Sequence, residues 1–317
     1  MAEDRNAPVI VIGGPTASGK SALAVDLAAE FGGTVVNADS MQLYRELDVV
    51  TARPAAEDLA RVPHVLYGVL PAAERGSAAR WRDMALAEIA AARAQGRVPV
   101  VVGGTGLYLR ALMQGLCAVP AVPDAIRRAV RDRLRVLGGE AFRAELVARD
   151  PAAVRLNPGD TTRLTRAREV LEATGRPLSE WQRDTAEGPP PGLSFLVLVI
   201  DPPRPALYAA GDGRFVAMVR RGAAEEVRRL DALGLDPDLP AMKALGVPEL
   251  RRHLHGDLTL DEAIGLAQQS TRRYAKRQVT WFRHQLIGQH GCHTISSLYS
   301  PAQRDAILRL AAAELRG

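Results

Sequence analysis

Val9-Ile10-Val11-Ile12-Gly13-Gly14-Pro15-Thr16-Ala17-Ser18-Gly19-Lys20-Ser21 is the stretch that decides the fold. Val9 to Ile12 are β-branched and predict a short buried strand. Gly13 to Lys20 predict a turn, and Ser21 to Phe31 a helix closed by Gly32-Gly33. Between strand and helix, Gly14 to Ser21 fit the pattern of a Gly, four residues, then Gly, Lys and Ser or Thr. Glycine permits the tight turn, successive backbone N–H groups converge on a phosphate, the helix N-terminus adds positive potential, and lysine supplies a point charge. Gly14, Pro15, Thr16, Ala17, Ser18, Gly19, Lys20 and Ser21 are therefore expected to bind phosphate, with Ser21 ligating Mg²⁺. The loop leaves open whose phosphates these are, since adenylates, guanylates and diphosphate esters all suit it.

Outward from this unit, Thr34 to Asn37 predict a second strand ending at Ala38-Asp39-Ser40. Ala78 to Gln95 predict a helix, and Val98 to Val102 a strand running into Gly103-Gly104-Thr105-Gly106. Strands alternating with helices imply an α/β fold of the P-loop NTPase kind, with a parallel sheet whose ligands bind beyond the carboxyl ends of its strands. From about Pro120 the texture changes to charged helical segments, up to the Pro-rich stretch Gly188 to Gly192. Phe195 to Ile200 then supply another buried strand, followed by a largely helical remainder. The expectation is a core made of residues 1–119 and 193–317, with a helical insertion at 120–192.

Composition narrows the class. The chain has 317 residues, 47% apolar and 24% charged, near the averages of globular proteins. Its purely apolar strand segments are far shorter than the ~20 residues that span a bilayer. The polar start Met1 to Pro8 is unlike a signal peptide, so a cytoplasmic location is expected. Cys117 and Cys292 stand too far apart for a metal-like spacing and read as packing residues. The net charge is +5, and Lys20, Lys243 and Lys276 are the only lysines among 41 basic residues.

Asp39, just past a strand end, could face the crevice as an active-site carboxylate or could cap a turn. Thr105 has the same two readings. The Val98 to Val102 strand lacks the terminal carboxylate that usually holds Mg²⁺ in nucleotide-hydrolysing P-loop proteins, which argues against ATP hydrolysis. Ser270 to Arg283 form a helix with two unlike faces. Arg272, Arg273, Lys276, Arg277, Thr280 and Arg283 fill one half of the wheel, and Tyr274, Ala275, Val279, Trp281 and Phe282 the other. From Ser270 to His290 there are five Arg or Lys and no acid, a face suited to phosphates.

Together these pieces resemble the tRNA dimethylallyltransferase (tRNA isopentenyltransferase) family over nearly the whole chain. Besides the P-loop, the resemblance rests on Asp39-Ser40 with Gln42 and Tyr44, Thr51-Ala52-Arg53-Pro54, and Val102 to Tyr108. It continues through Asp150-Pro151, Asp160 with Arg163, Arg166 and Glu169, Thr174 to Ser179, Asp201 to Arg204, and Thr271 to Arg283. The chain departs from the family pattern at Val50 (usually Gly), Ala210 (commonly Arg) and Val247 (usually Tyr).

The resemblance implies transfer of a dimethylallyl group from dimethylallyl diphosphate to the N6 amine of the adenine 3′-adjacent to the anticodon, in tRNAs reading codons that start with U. It implies catalytic roles for Asp39 as the base and for Thr16, Lys20 and Thr105, with Mg²⁺ as cofactor. The implied tRNA contacts are Asp39, Ser40, Met41 and Gln42, then Thr162, Arg163, Leu164, Thr165 and Arg166, then Lys243 and Gly246, and the basic residues Arg272, Arg273, Lys276 and Arg277. The insertion would meet the tRNA anticodon stem-loop, and the enzyme would act as a monomer with no membrane partner. The alternatives are a small-molecule or nucleoside kinase, which shares the P-loop, and a nucleotide-gated RNA-binding module without chemistry.

Overall fold

The structure, a computed structural model, describes residues 8–117, 119–183, 188, 190–289 and 291–315. The polar start before Pro8, Pro189 in the Pro-rich stretch and His290 at the end of the basic run lie outside the described residues. Two compact units emerge, one of residues 1–113 with 191–317 and one of residues 114–190.

The first unit begins with β1 (Val9–Gly13), α1 (Lys20–Glu30), β2 (Thr34–Asn37), α2 (Ala56–Arg61), β3 (His64–Val65), α3 (Ala78–Ala94), β4 (Pro99–Gly103) and α4 (Gly106–Gln114). The second unit holds α5 (Asp124–Val147), α6 (Thr161–Thr174) and α7 (Leu178–Arg183). The chain then returns to the first with β5 (Phe195–Ile200), α8 (Arg204–Arg220), α9 (Ala223–Asp231), α10 (Val247–Leu254), α11 (Leu260–Gln285), β6 (Cys292–Ile295) and α12 (Arg304–Glu314).

Six strands form one sheet in the order β3-β2-β4-β1-β5-β6, and every pairing is parallel. Strand alternation sends side chains to opposite faces. Val9, Val11, Val36, Val101 and Val199 join the larger core under α3, α4 and α8 to α11, whereas Ile10, Ile12, Val35, Val100 and Val102 join the core beneath α1 and α12. Both faces are covered, which is why β1, β2 and β4 are buried throughout.

Because β4 sits between β1 and β2, the loops after these three strands emerge side by side at one sheet edge. That brings the P-loop, Asp39 and Thr105 together, although 66 residues separate Asp39 from Thr105 in sequence.

The second unit is helical, with its own core of Val130, Phe142, Leu146, Ala153, Leu164, Ala167 and Leu171. Asp160 caps α6 by accepting from the Arg163 N–H, and Gly175, in the left-handed region at φ 70°, ends it.

The departures at Val50 and Val247 are both accommodated in the larger core. A buried Glu226 on α9 accepts from the N–H groups of Asp48 and Val49 at 2.9 and 2.8 Å on one oxygen and of Val50 at 2.9 Å on the other. The segment leading into Thr51-Ala52-Arg53-Pro54 is thereby pinned from a different part of the chain.

Candidate active site

Gly19 takes φ 91° at the turn into α1, and Ala17 holds φ 65°, so the P-loop chain curls as a phosphate cradle requires. The Ser18 hydroxyl is buried and has no hydrogen-bond partner among the described residues. A buried donor left without a partner fits a place where a ligand oxygen would complete it. Lys20 is 9% exposed and donates to the Pro15 carbonyl at 3.4 Å. Burial pushes its ammonium down to about 8, opposed by the Asp39 carboxylate and reinforced by the Arg214 guanidinium.

Arg214 reaches the P-loop from α8 and donates to the Thr16 hydroxyl. Burial works against its charge and Asp39 works for it. Arg214 thus stands with Lys20 and Asp39 in one electrostatic cluster.

Asp39 closes a turn and keeps one oxygen unbonded. One carboxylate oxygen accepts from the Met41 N–H at 3.0 Å, an Asx turn, and Oδ2 has no hydrogen bond among the described residues. Its backbone is gripped by the fully buried Asn37, whose Oδ1 accepts from the Asp39 N–H at 2.8 Å and whose Nδ2 donates to the Asp39 carbonyl at 3.0 Å. The same Nδ2 donates to the Leu66 carbonyl at 2.9 Å. Thr105 Oγ1 accepts from the Ser40 N–H at 3.0 Å, which ties the β4 loop to the β2 loop.

Three phenols feel the Asp39 charge. Burial foremost, with Asp39 contributing, raises the pKa of Tyr67, Tyr108 and Tyr274, and Tyr274 lies beside Thr105. All three stay protonated at neutral pH and can only serve there as neutral groups.

Helix α11 behaves differently from a purely basic surface. Arg273, Lys276 and Arg277 are exposed, as its pattern predicts. Arg272 and Arg283, by contrast, are neutralised by Asp212 and Asp201 at 2.7 and 2.8 Å, acids supplied from α8 and from the end of β5. On the opposite side Gln278, 6% exposed, accepts from the Thr16 N–H at 2.9 Å and donates to the Gly104 carbonyl at 2.8 Å.

Other expected positions fall into two groups. Thr162 and Arg163 are exposed, whereas Leu164 is fully buried in the core of the helical unit, so its side chain is not a surface contact. Thr165 bonds back to the Thr161 carbonyl at 2.7 Å, and Arg166 is half-buried. Gln42 donates to the Thr51 and Ala52 carbonyls at 3.0 and 2.9 Å and holds a turn, and Met41 is half-buried. Lys243 pairs with Asp238 at 2.8 Å, and Gly246 takes φ 89° where a Cβ would lie 2.6 Å from Phe215.

Arg214, Gln278, Asn37 and Tyr274 were not among the expected site residues. Gln278 could have been found, because an amide on the apolar half of a helical wheel must have buried partners. Asn37 and Arg214 carry no such local signal.

For Mg²⁺, the fitting donor is Ser21, exposed at the start of α1. No cluster of three or more His, Cys, Asp or Glu exists among the described residues, so an ion here would take most of its ligands from phosphate and water, as Mg²⁺ commonly does. No helix among the described residues is long and apolar enough to cross a membrane.

A family model described as IPP transferase matches residues 42–285, and one described as Isopentenyl transferase matches residues 7–74. The tRNA dimethylallyltransferase of Rhodospirillum centenum is 66% identical over 280 residues, 88% of this chain and 89% of that protein. The tRNA dimethylallyltransferase of Paramagnetospirillum magneticum is 55% identical over 281 residues, 88% of this chain and 89% of that protein. Among solved structures, the tRNA isopentenylpyrophosphate transferase of Bacillus halodurans superposes with TM-score 0.69 at 30% identity, covering 98% of this chain and 97% of that one. A eukaryotic dimethylallyltransferase acting on tRNA superposes with TM-score 0.80 at 27% identity, covering 96% and 78%.

Proposed function

The chain belongs to the IPP transferase family, and from that membership we propose that it transfers the dimethylallyl group of dimethylallyl diphosphate to the N6 amine of an adenine in tRNA. The adenine is the one 3′-adjacent to the anticodon, in tRNAs reading codons that start with U. The observation that carries this reading is the convergence of a cationic P-loop, formed by Lys20 with Arg214 on Thr16, and a carboxylate with a free oxygen, Asp39.

The step is a displacement. The N6 lone pair attacks the allylic carbon, the carbon–oxygen bond breaks, and its electron pair leaves on the diphosphate. Asp39 Oδ2 takes the N6 proton, a contribution of roughly 10²–10⁴-fold. P-loop amides, Lys20 and Arg214 meet the charge that grows on the leaving diphosphate, and the Ser18 hydroxyl gains the partner it lacks. Thr105 holds the loop that flanks the acceptor. Mg²⁺, held by Ser21, would supply further neutralisation of the diphosphate when bound.

Exposed Arg273, Lys276 and Arg277 support contact with tRNA phosphates, as do Thr162 and Arg163 in the helical unit for the anticodon stem-loop. An unpaired loop suits the chemistry, because extruding its adenine costs less than opening a duplex. A tRNA substrate supports a cytoplasmic location. A kinase is not favoured: the matched relatives are tRNA dimethylallyltransferases, and β4 runs into Gly104-Thr105 with no carboxylate for a nucleotide-bound metal.

The test is nucleoside mass spectrometry of tRNA incubated with enzyme, Mg²⁺ and dimethylallyl diphosphate. Dimethylallyladenosine is expected beside the anticodon. Phosphate transfer from ATP with no use of dimethylallyl diphosphate would overturn the reading.

A further inference from the structure

The basic helix α11 has a second side, and its polar groups do not face solvent. Tyr274, Gln278, Trp281 and Phe282 lie along one stripe at helical spacing, each against a loop of the site. Tyr274 lies beside Thr105. Trp281 lies against Gly106 and Phe282 against Gly13, where a Cβ would be 2.6 Å from the Phe282 ring. Gln278 is the one member whose side chain touches two loops at once, Thr16 in the P-loop and Gly104 after β4.

We propose that Gln278 is a positioning residue of the diphosphate site, setting the spacing between the P-loop and the Gly103 to Gly106 loop. The inference rests on the reading that these loops bind the diphosphate of the donor.

Three observations support it. The carboxamide is polarised in one direction only: its oxygen accepts from Thr16 and its nitrogen donates to Gly104, so neither an acid nor an apolar side chain can replace both bonds. Gly104 fits this bridge, since a Cβ at that position would collide with Gln278 Nε2. Thr16 is held twice, by Gln278 at its amide and by Arg214 at its hydroxyl, so the residue that opens the phosphate-facing half of the loop has no freedom to drift. Without Gln278 the part-buried Thr16 N–H loses its partner, and the tie between the two loops is gone.

The consequence is a division of labour across one helix: its exposed residues serve tRNA and its buried amide serves the donor. Gln278→Met keeps volume and loses both bonds. It is expected to raise the KM for dimethylallyl diphosphate and the Kd for inorganic pyrophosphate, measured with Mg²⁺, on the order of 10–100-fold, because two hydrogen bonds that fix the loops are lost, each worth roughly three- to tenfold. Binding of tRNA, measured separately, stays within about twofold, although Gln278 directly follows Lys276 and Arg277 in sequence.

Gln278→Glu, which keeps length and the acceptor but puts a negative charge beside the P-loop, is expected to weaken pyrophosphate more than Gln278→Met does. It also supplies the reading should the Met variant not fold. Unchanged pyrophosphate binding in a folded variant, or an equal loss for tRNA and pyrophosphate, overturns the proposal. If the wild type binds pyrophosphate but never prenylates tRNA, the functional reading fails and the role of Gln278 is still decided by the pyrophosphate titration.

Discussion

Lys20 is a buried ammonium whose natural partner arrives with the substrate, so removing it is expected to stabilise the unliganded enzyme while abolishing donor binding. Folding carries its pKa from 10.5 down to about 8. The folded state therefore binds fewer protons at this site than the unfolded one, and wild-type stability rises as pH climbs from about 8 towards 10.5 and is lost as pH falls through about 8. At about 1.4 kcal/mol per pKa unit, the charged lysine costs about 3 kcal/mol at pH 7. The long bond to the Pro15 carbonyl, 3.4 Å, returns little of this.

Lys20→Met fills similar space with no charge, so denaturant unfolding at pH 7 should find the variant more stable than wild type by about 2–3 kcal/mol. The gap should shrink to about 1 kcal/mol at pH 10, where only the unfolded lysine remains largely protonated. Calorimetry should find no pyrophosphate binding to the variant. For wild type at pH 8, binding should take up protons, because the anion restores the lysine charge. A variant no more stable than wild type at pH 7, or a gap that does not change with pH, would refute the assignment of Lys20 as a buried charge held ready for an anion.

Asp39→Asn keeps the Asx turn but removes the proton acceptor; kcat should fall by roughly 10²–10⁴ with pyrophosphate affinity retained, read by single-turnover kinetics and calorimetry. Arg214→Met removes the donor to Thr16 and a cation beside the diphosphate, so the donor KM should rise by about tenfold or more while tRNA binding is unaffected, as filter binding would report. Glu226→Ala strips three backbone N–H groups of their acceptor and should cost about 3 kcal/mol of unfolding free energy, measured in urea.

The first strand, the P-loop and the parallel sheet were legible because their signals are local: a β-branched run, a Gly-Lys-Ser turn and a helix stop within 25 residues of one another. Thr34–Asn37 and Phe195–Ile200 match their expected bounds for the same reason. The basic face of α11 was also visible, but its net charge was not, because Asp201 and Asp212 reach Arg283 and Arg272 from elements far away in sequence. Leu164 lay inside a stretch named for tRNA contact, and only the helical unit's packing reveals that it points inward. Asn37 and Arg214 carry no sequence signal because their partners, the Asp39 backbone and the Thr16 hydroxyl, become neighbours only through the folded chain. Val50 and Val247 read as departures from a family pattern; both are absorbed into one core cluster with Phe215.

The P-loop is finished by residues far from it in sequence. Thr16 waits for Gln278, and the Ser18 carbonyl waits for the Tyr299 N–H, 3.0 Å away, with Tyr299 also lying 2.9 Å from where a Gly19 Cβ would stand. A fragment cut before Gln278 would keep the phosphate-binding motif and lose the partners of the Thr16 N–H and the Ser18 carbonyl.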